Sequence, residues 1–357
     1  MSKQLIFVHL FNDRSGSPKV LSQIVPAMSA LGRSVEVLTS SHQDGFLTGL
    51  PGQRRQVFYR RSESKLITLF YYLLSQAHLF FSCLRYWPQD VIFYVNTMMP
   101  FGAALAAKLM RKPVIYHVHE TSIRPALLKK FLRLVIGLTA QKIIFVSDYL
   151  LRTEGFAGRA QFVLHNALET TLSTVPQASA GERFNVLMVC SLKKYKGVSE
   201  FIRIAQLLVE THIRFTLVLN AEQEEVDAYF MGVELPENVS IFARQSDLSG
   251  FYAGASLLLN LSRPDEWVET FGLTILEGMS YGLPVIVPPV GGPAEIVTDG
   301  QQGYLISCYE TQRIADAIRL ISADRTLHAQ LAQGARAQAQ LFNPADFERK
   351  VAEIIDL

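Results

Sequence analysis

The chain has 357 residues and a mass of 40.0 kDa, and 49% hydrophobic, 10% aromatic and 18% charged residues make a core-building composition that excludes disordered, collagen-like and low-complexity classes. The length points to two domains. The net charge of +2 conceals an asymmetry: residues 1–170 carry 20 Lys/Arg against 9 Asp/Glu, and the remainder carries 14 against 23. A basic half suits nucleic acid, an anionic membrane or a phosphorylated substrate. No RNP aromatics, Cys/His finger or basic zipper appears, so no nucleic-acid partner is expected.

Short apolar runs at 5–10, 34–39, 91–96, 114–119, 143–147 and 162–165 read as strands, with helical stretches such as 18–31 and 101–110 between them. The first run gives way to polar and acidic residues at Asn12 and Asp13, too soon for a signal peptide, and reads as a buried strand. Near-continuous apolar strands alternating with helices describe a parallel sheet covered on both faces. Residues 66–84 form 19 uncharged residues between Lys65 and Arg85, a length that can span a bilayer. Thr68, Ser75, Gln76, His78 and Ser82 interrupt the run, so it reads as a partly buried or membrane-surface helix. Arg54, Arg55, Arg60 and Arg61 and the stretch 124–134 add basic charge beside apolar residues, a pattern of peripheral contact with anionic lipid or of a solvated basic face.

The rhythm breaks at 170–183, a polar stretch of small residues with a Pro and a Gly, which reads as a linker. It resumes with strands at 185–189, 215–219, 239–242, 257–261, 285–287 and 303–306. Two doubly wound halves with a cleft between them are expected, with the chemistry beyond the carboxyl ends of the strands. Cys83, Cys190 and Cys308 are odd in number, widely spaced and without a CxxC, so neither a disulfide framework nor a zinc site is expected, and a reducing cytoplasm fits.

The segment 269–277, ETFGLTILE, carries two glutamates that would sit about 80° apart on an ideal helix and so would not share a face. With Glu269 on a loop and a helix starting near Gly272, both carboxylates can reach one ligand. The helix N-terminus between them then offers N–H groups to a phosphate. The plainer alternative is a dipole-favouring Glu269 and a solvated Glu277.

The run E-x-F-G-L-x-x-L-E-x-M-x-x-G-x-P-V-I followed by G-G-P-x-E-I-V resembles the family 4 retaining glycosyltransferases. The resemblance implies a GT-B fold: α/β, with two Rossmann-like doubly wound domains facing across a cleft. It implies that Glu269 contacts the donor sugar and Glu277 the ribose, that the backbone of Phe271, Gly272 and Leu273 lines the sugar, and that Thr274 lies near the diphosphate. Ser15-Gly16-Ser17 resembles the family's Gly-rich loop, His119 its donor-sugar histidine, and Asn166 its interdomain Asn-Gly element, with Ala167 in place of the Gly. Lys196, followed by Gly197, matches the diphosphate lysine. The family's arginine position falls on Ser191, so either Lys193 or Lys194 substitutes or the diphosphate is held less tightly; a lysine is a point charge where arginine is a planar fork. Arg244 and Gln245 fall where the family holds the base.

The resemblance therefore implies a hexosyltransferase with Glu269, His119 and Lys196 at its reacting centre, using a UDP- or GDP-sugar and passing the sugar to a glycan or lipid-linked oligosaccharide in cell-surface polysaccharide synthesis. The chain has no D-x-D, so no metal or other cofactor is expected. The alternative is a catalytically inactive sugar-nucleotide-binding partner subunit. The expected domains are 1–170 on the acceptor side, a linker at 171–183, 184–342 for the nucleotide sugar, and a helix at 343–357 that crosses back to the first domain. The expected location is the cytoplasm, peripheral on an anionic inner membrane face.

Overall fold

A computed structural model describes residues 3–41, 45–169 and 184–357; the predicted linker lies outside the described residues. The chain divides into two compact units, Met1–Ala167 with Ala345–Leu357, and Leu168–Pro344.

The first unit runs β1 (Gln4–Val8), α1 (Gly16–Ala30), β2 (Val35–Ser40), β3 (Gln53–Val57), α2 (Lys65–Cys83), β4 (Val91–Asn96), α3 (Phe101–Leu109), β5 (Val114–Val118), α4 (Ala126–Thr139), β6 (Lys142–Phe145), α5 (Asp148–Glu154) and β7 (Ala160–Val163). Its seven strands are all parallel, in the order β3-β2-β1-β4-β5-β6-β7. Leu5, Ile6, Phe7 and Val8 of central β1 are completely buried, as expected of a strand covered on both faces. The sequence pattern missed β3: QRRQV is mostly exposed, because an edge strand needs only its backbone to join β2. The strand expected to reach 147 stops at Phe145, where the Ser147 hydroxyl accepts from the Leu150 N–H and caps α5.

The second unit runs β8 (Asn185–Cys190), α6 (Val198–Gln206), β9 (Arg214–Leu219), α7 (Gln223–Phe230), β10 (Val239–Phe242), α8 (Ser249–Ala253), β11 (Leu257–Leu259), α9 (Leu273–Ser280), β12 (Val285–Val287), α10 (Pro293–Ile296), β13 (Gly303–Leu305), α11 (Thr311–Ala323) and α12 (Arg325–Ala339). Its six parallel strands follow the order β10-β9-β8-β11-β12-β13. Its core gathers Val186, Phe201, Phe215, Leu217, Leu257 and Ile286 between the sheet and its helices. The last helix, α13 (Pro344–Asp356), belongs almost wholly to the first unit, where Arg33 pairs with Asp356 and Lys142 Nζ donates to the Ile354 carbonyl at 2.8 Å.

Both sheets reverse direction beside their first strand, between β1 and β4 and between β8 and β11. In open α/β sheets such a switch point opens a crevice beyond the carboxyl ends of the strands, where sheets of this kind commonly take their ligands.

Candidate active site

At the second unit's switch point, a short turn, Lys194–Lys196, follows β8, and Gly197 caps α6 with φ +79°. A Cβ at Gly197 would lie 2.2 Å from the Leu261 carbonyl oxygen, so glycine alone lets the loop after β8 close on the loop after β11. That closure brings Lys196 Nζ to Glu269 Oε2 at 2.5 Å, with side chains 17% and 20% exposed. Burial pulls the Lys196 ammonium toward neutrality, but the Glu269 carboxylate outweighs it and holds the pKa above the ordinary lysine value. Beside the pair, the Tyr195 and Trp267 rings stack at 5.0 Å. The Arg263 N–H donates to the Tyr195 carbonyl at 2.8 Å, and its guanidinium donates to Glu200 and Glu266.

Three residues after Glu269, Gly272 caps α9 with φ +106° and no side chain to satisfy the helix end. The first N–H groups of α9 lack intrahelical acceptors and carry the positive end of the helix dipole. Leu273 and Thr274 form this first turn, half-buried. The Gly291-Gly292 pair holds the loop before it. Gly292 N–H donates to the Glu269 carbonyl at 2.9 Å, and a Cβ at Gly292 would lie 2.3 Å from Phe271 Cα. Phe271 is buried with its ring 5.9 Å from that of Phe342. Glu277, the fifth residue of α9, accepts a 2.7 Å hydrogen bond from the Tyr252 hydroxyl. Burial and then that carboxylate push the Tyr252 phenol well above its usual pKa, so it stays a donor.

The structure brings Lys196 and Glu269 together and carries Glu277 on the adjoining helix. Ser191 is half-buried, with its carbonyl accepting from Lys193 N–H at 2.8 Å, while Lys193 and Lys194 are exposed. Arg244 lies after β10, where it donates to Asn220 at 2.8 Å and pairs with Glu222 at 2.5 Å.

The first unit's switch point holds a polar cluster. Asn96, ending β4, donates to His9 Nδ1 and to the Ser17 carbonyl, each at 3.0 Å. Its Oδ1 lies 2.8 Å from His119 Nε2, so that nitrogen carries the proton. His119 follows β5 directly, and its ring centroid is 4.2 Å from that of His117, whose Nδ1 meets the Tyr94 hydroxyl at 2.8 Å. Burial lowers His9 to a pKa of about 4 and His117 to about 3. Burial, then His117 and His9, drives His119 well below its ordinary value, so all three rings are neutral near pH 7. The Glu120 carboxylate accepts from the Met98 and His119 N–H groups at 2.8 and 3.1 Å, and burial raises it to about 7. Gly16 opens α1 and is exposed, one residue before the Ser17 carbonyl that Asn96 grips. Asn166 is buried with its Oδ1 lacking a partner, and the Ala167 carbonyl accepts from Gln23 at 3.3 Å.

Sequence reasoning missed His9, Asn96, His117 and Glu120 in the first unit, and Tyr195, Tyr252, Arg263 and Trp267 in the second. The first four had a usable signal: each is a polar residue in or just beyond an apolar strand. Tyr252 had none, because 25 residues separate it from Glu277.

Two family models match the chain, "Glycosyltransferase Family 4" over residues 14–153 and "Glycosyl transferases group 1" over residues 173–338. Spinach (Spinacia oleracea) sucrose-phosphate synthase is 32% identical over 100 residues, which is 28% of this chain and 10% of that protein. The N-acetyl-alpha-D-glucosaminyl L-malate synthase of Bacillus anthracis is 26% identical over 170 residues, 47% of this chain and 43% of that protein. The chain thus spans from a tenth to under half the length of these curated relatives. In fold it is similar to Anabaena HepE, solved in complex with UDP and glucose, with a TM-score of 0.80 over 99% of this chain and 100% of that one, at 21% identity. The fold is GT-B, and the chain belongs to the family 4, group 1 glycosyltransferases.

Proposed function

We propose that the chain is a retaining, metal-independent glycosyltransferase that moves a sugar from a UDP- or GDP-sugar to a glycan or lipid-linked oligosaccharide in cell-surface polysaccharide synthesis. It acts in the cytoplasm, at the inner face of the membrane. The observation that carries this reading is the Lys196–Glu269 pair at 2.5 Å, three residues from the uncapped N-terminus of α9. A half-buried ammonium, paired with a carboxylate three residues before the open end of a helix, suits a diphosphate, and that carboxylate suits sugar hydroxyls. Anabaena HepE, solved with UDP and glucose, supports the donor class by analogy.

In the proposed reaction the bond from the sugar's anomeric carbon to the diphosphate breaks, and the acceptor oxygen bonds to that carbon on the same face. The acceptor hydroxyl's proton leaves with the diphosphate. Lys196 and the first turn of α9 stabilise the departing charge, Glu277 holds the ribose, and Glu269 positions the sugar without attacking it. Phe271, Gly272, Leu273 and Thr274 line the sugar and diphosphate. In the first unit, Gly16 and His119 are assigned to substrate; His119 is neutral, and because its one N–H is given to Asn96 it acts as a hydrogen-bond acceptor.

Ser191 favours a second reading, a non-catalytic subunit that binds sugar nucleotides, because serine brings no charge where the family has arginine. A panel of UDP- and GDP-sugars with lipid-linked acceptors separates the two. The transferase turns one donor over, whereas the subunit binds nucleotide and yields no product.

A further inference from the structure

The helix α2 with the turn after it, Leu66–Tyr86, has a mean hydropathy of 1.4 and is long enough to cross a membrane by composition alone. Its contacts forbid that. The Tyr72 hydroxyl donates to the Met99 carbonyl at 2.8 Å, and Gln76 Oε1 accepts from Gly102 N–H at 3.0 Å. A Cβ at Gly102 would lie 2.1 Å from the Gln76 carbonyl oxygen, so α2 and α3 touch through a glycine. Extracting α2 into hydrocarbon would strip Tyr72 and Gln76 of their partners in a medium that supplies none.

The opposite face of α2 is bare. Leu66, Phe70, Leu73 and Phe81 fall within an arc of about 80° at 100° per residue, and all four are exposed, Leu66 by 79%. Helix α4 repeats the arrangement: Leu127, Leu134 and Leu138, at i, i+7 and i+11, are exposed, Leu127 by 78%, while Leu132, Val135 and Ile136 are buried. Between the two lies α3, short and rich in buried alanine, with Phe101 packed against Tyr72 of α2 and Phe131 of α4. Right-handed crossovers from β3 through β7 put these helices on one side of the sheet.

Charge identifies the occupant. Residues 54–134 carry thirteen Lys/Arg and three Asp/Glu, of which Arg55, Lys129 and Arg133 are paired with Glu36 and Glu154 from outside that range. Of the three acids, Asp90 pairs with Lys3 and Glu120 is occupied by backbone N–H groups. A second copy seated on this face would bring two strongly cationic surfaces together. An anionic lipid surface answers both the charge and the apolar ridges.

We infer that α2 and α4 form an in-plane docking surface for anionic phospholipid, with their apolar ridges in the acyl boundary and Lys108 and Lys130 among the headgroups. The inference rests on the membrane location proposed above and names the surface that would make it; it concerns binding and is tested apart from sugar transfer. Lys129 and Arg133 are not part of it, because both are engaged by the buried Glu154 carboxylate at 2.5 Å.

The test is sedimentation of the full chain with phosphatidylcholine vesicles, with and without phosphatidylglycerol. Pelleting is expected with the anionic vesicles at low salt, with partial release at high salt. Phe70→Ser and Leu127→Ser, on exposed positions, are expected to lower partitioning by about tenfold or more each. Lys108→Gln and Lys130→Gln are expected to lower it by about fivefold each. Amide exchange on the wild-type chain needs no substitution: anionic vesicles should protect α2 and α4 and leave α1 unchanged. Absence of pelleting at low salt, equal binding to neutral vesicles, unaltered binding by the serine variants, or a dimer that those variants dissociate would overturn the inference.

Discussion

At the scale of single residues, Lys196 cannot serve a diphosphate and Glu269 equally, since the two neutralise one another at 2.5 Å. Under the proposed reaction, Glu269→Gln lowers turnover by about ten- to a hundredfold and leaves UDP affinity in calorimetry undiminished, because the ammonium is released from its competitor. Glu277→Ala is expected to do the reverse, weakening UDP binding by about ten- to a hundredfold through loss of a charged hydrogen bond. The histidines make a separate prediction. Burial depresses His9 to about 4 and His117 to about 3 from an ordinary value of 6.5, so the unfolded chain binds their protons first as pH falls. Their contribution to stability is complete above pH 6.5 and drains away as pH drops toward these values. Glu120, raised by burial from 4.5 to about 7, works in the opposite sense: its contribution is complete below pH 4.5 and drains away as pH rises from there toward 7. The urea midpoint of His117→Gln should therefore fall less steeply on acidification than that of the wild type, and Glu120→Gln should gain on the wild type as pH climbs from 4.5 to 7 and hold that gain above it. The site was legible in sequence where its residues are contiguous, as along 269–277. It was illegible where folding unites distant residues with no local mark, as with Tyr252 and Glu277.

At the scale of elements, the site depends on backbones brought closer than any side chain allows. The loop ending in Gly272 is pinned by Gly292, where an added Cβ would meet the Phe271 backbone at 2.3 Å. Gly292→Ala is expected to displace that loop, lower the thermal midpoint and abolish UDP binding in a thermal-shift titration. Gly300, at φ +76° with open space around its missing Cβ, is the control. Gly300→Ala should cost about 1 kcal/mol of stability for its left-handed backbone and leave UDP binding intact. A binding loss common to both variants would mean that the G-G-P element has no special hold on the site. The same scale explains what the hydrophobic pattern revealed. Central strands such as β4 and β12 are buried on both sides and announce themselves as apolar runs. β3 is an edge strand written QRRQV, whose place is set by hydrogen bonding to β2, and backbone pairing leaves no mark on composition.

For the whole molecule, the two sheets share one order over their first six strands, while the sequence is basic through residue 170 and acidic beyond it. The proposal assigns the acidic unit's buried lysine to the donor and the basic unit to an acceptor held at an anionic surface. Because Lys196 and the first turn of α9 are assigned the diphosphate, transfer is expected to persist in excess EDTA; a reproducible requirement for Mn²⁺ or Mg²⁺ would contradict that assignment. The central claim, that this chain transfers sugar through the Lys196–Glu269 site, is tested most directly by one assay. Wild type, Glu269→Gln and Lys196→Met are incubated with the UDP- and GDP-sugar panel and lipid-linked acceptor, and product is followed with its anomeric configuration. Product of retained configuration is expected from the wild type, with turnover reduced at least about tenfold in both variants. Nucleotide binding without product from any donor, or variants that match the wild type, would contradict that claim.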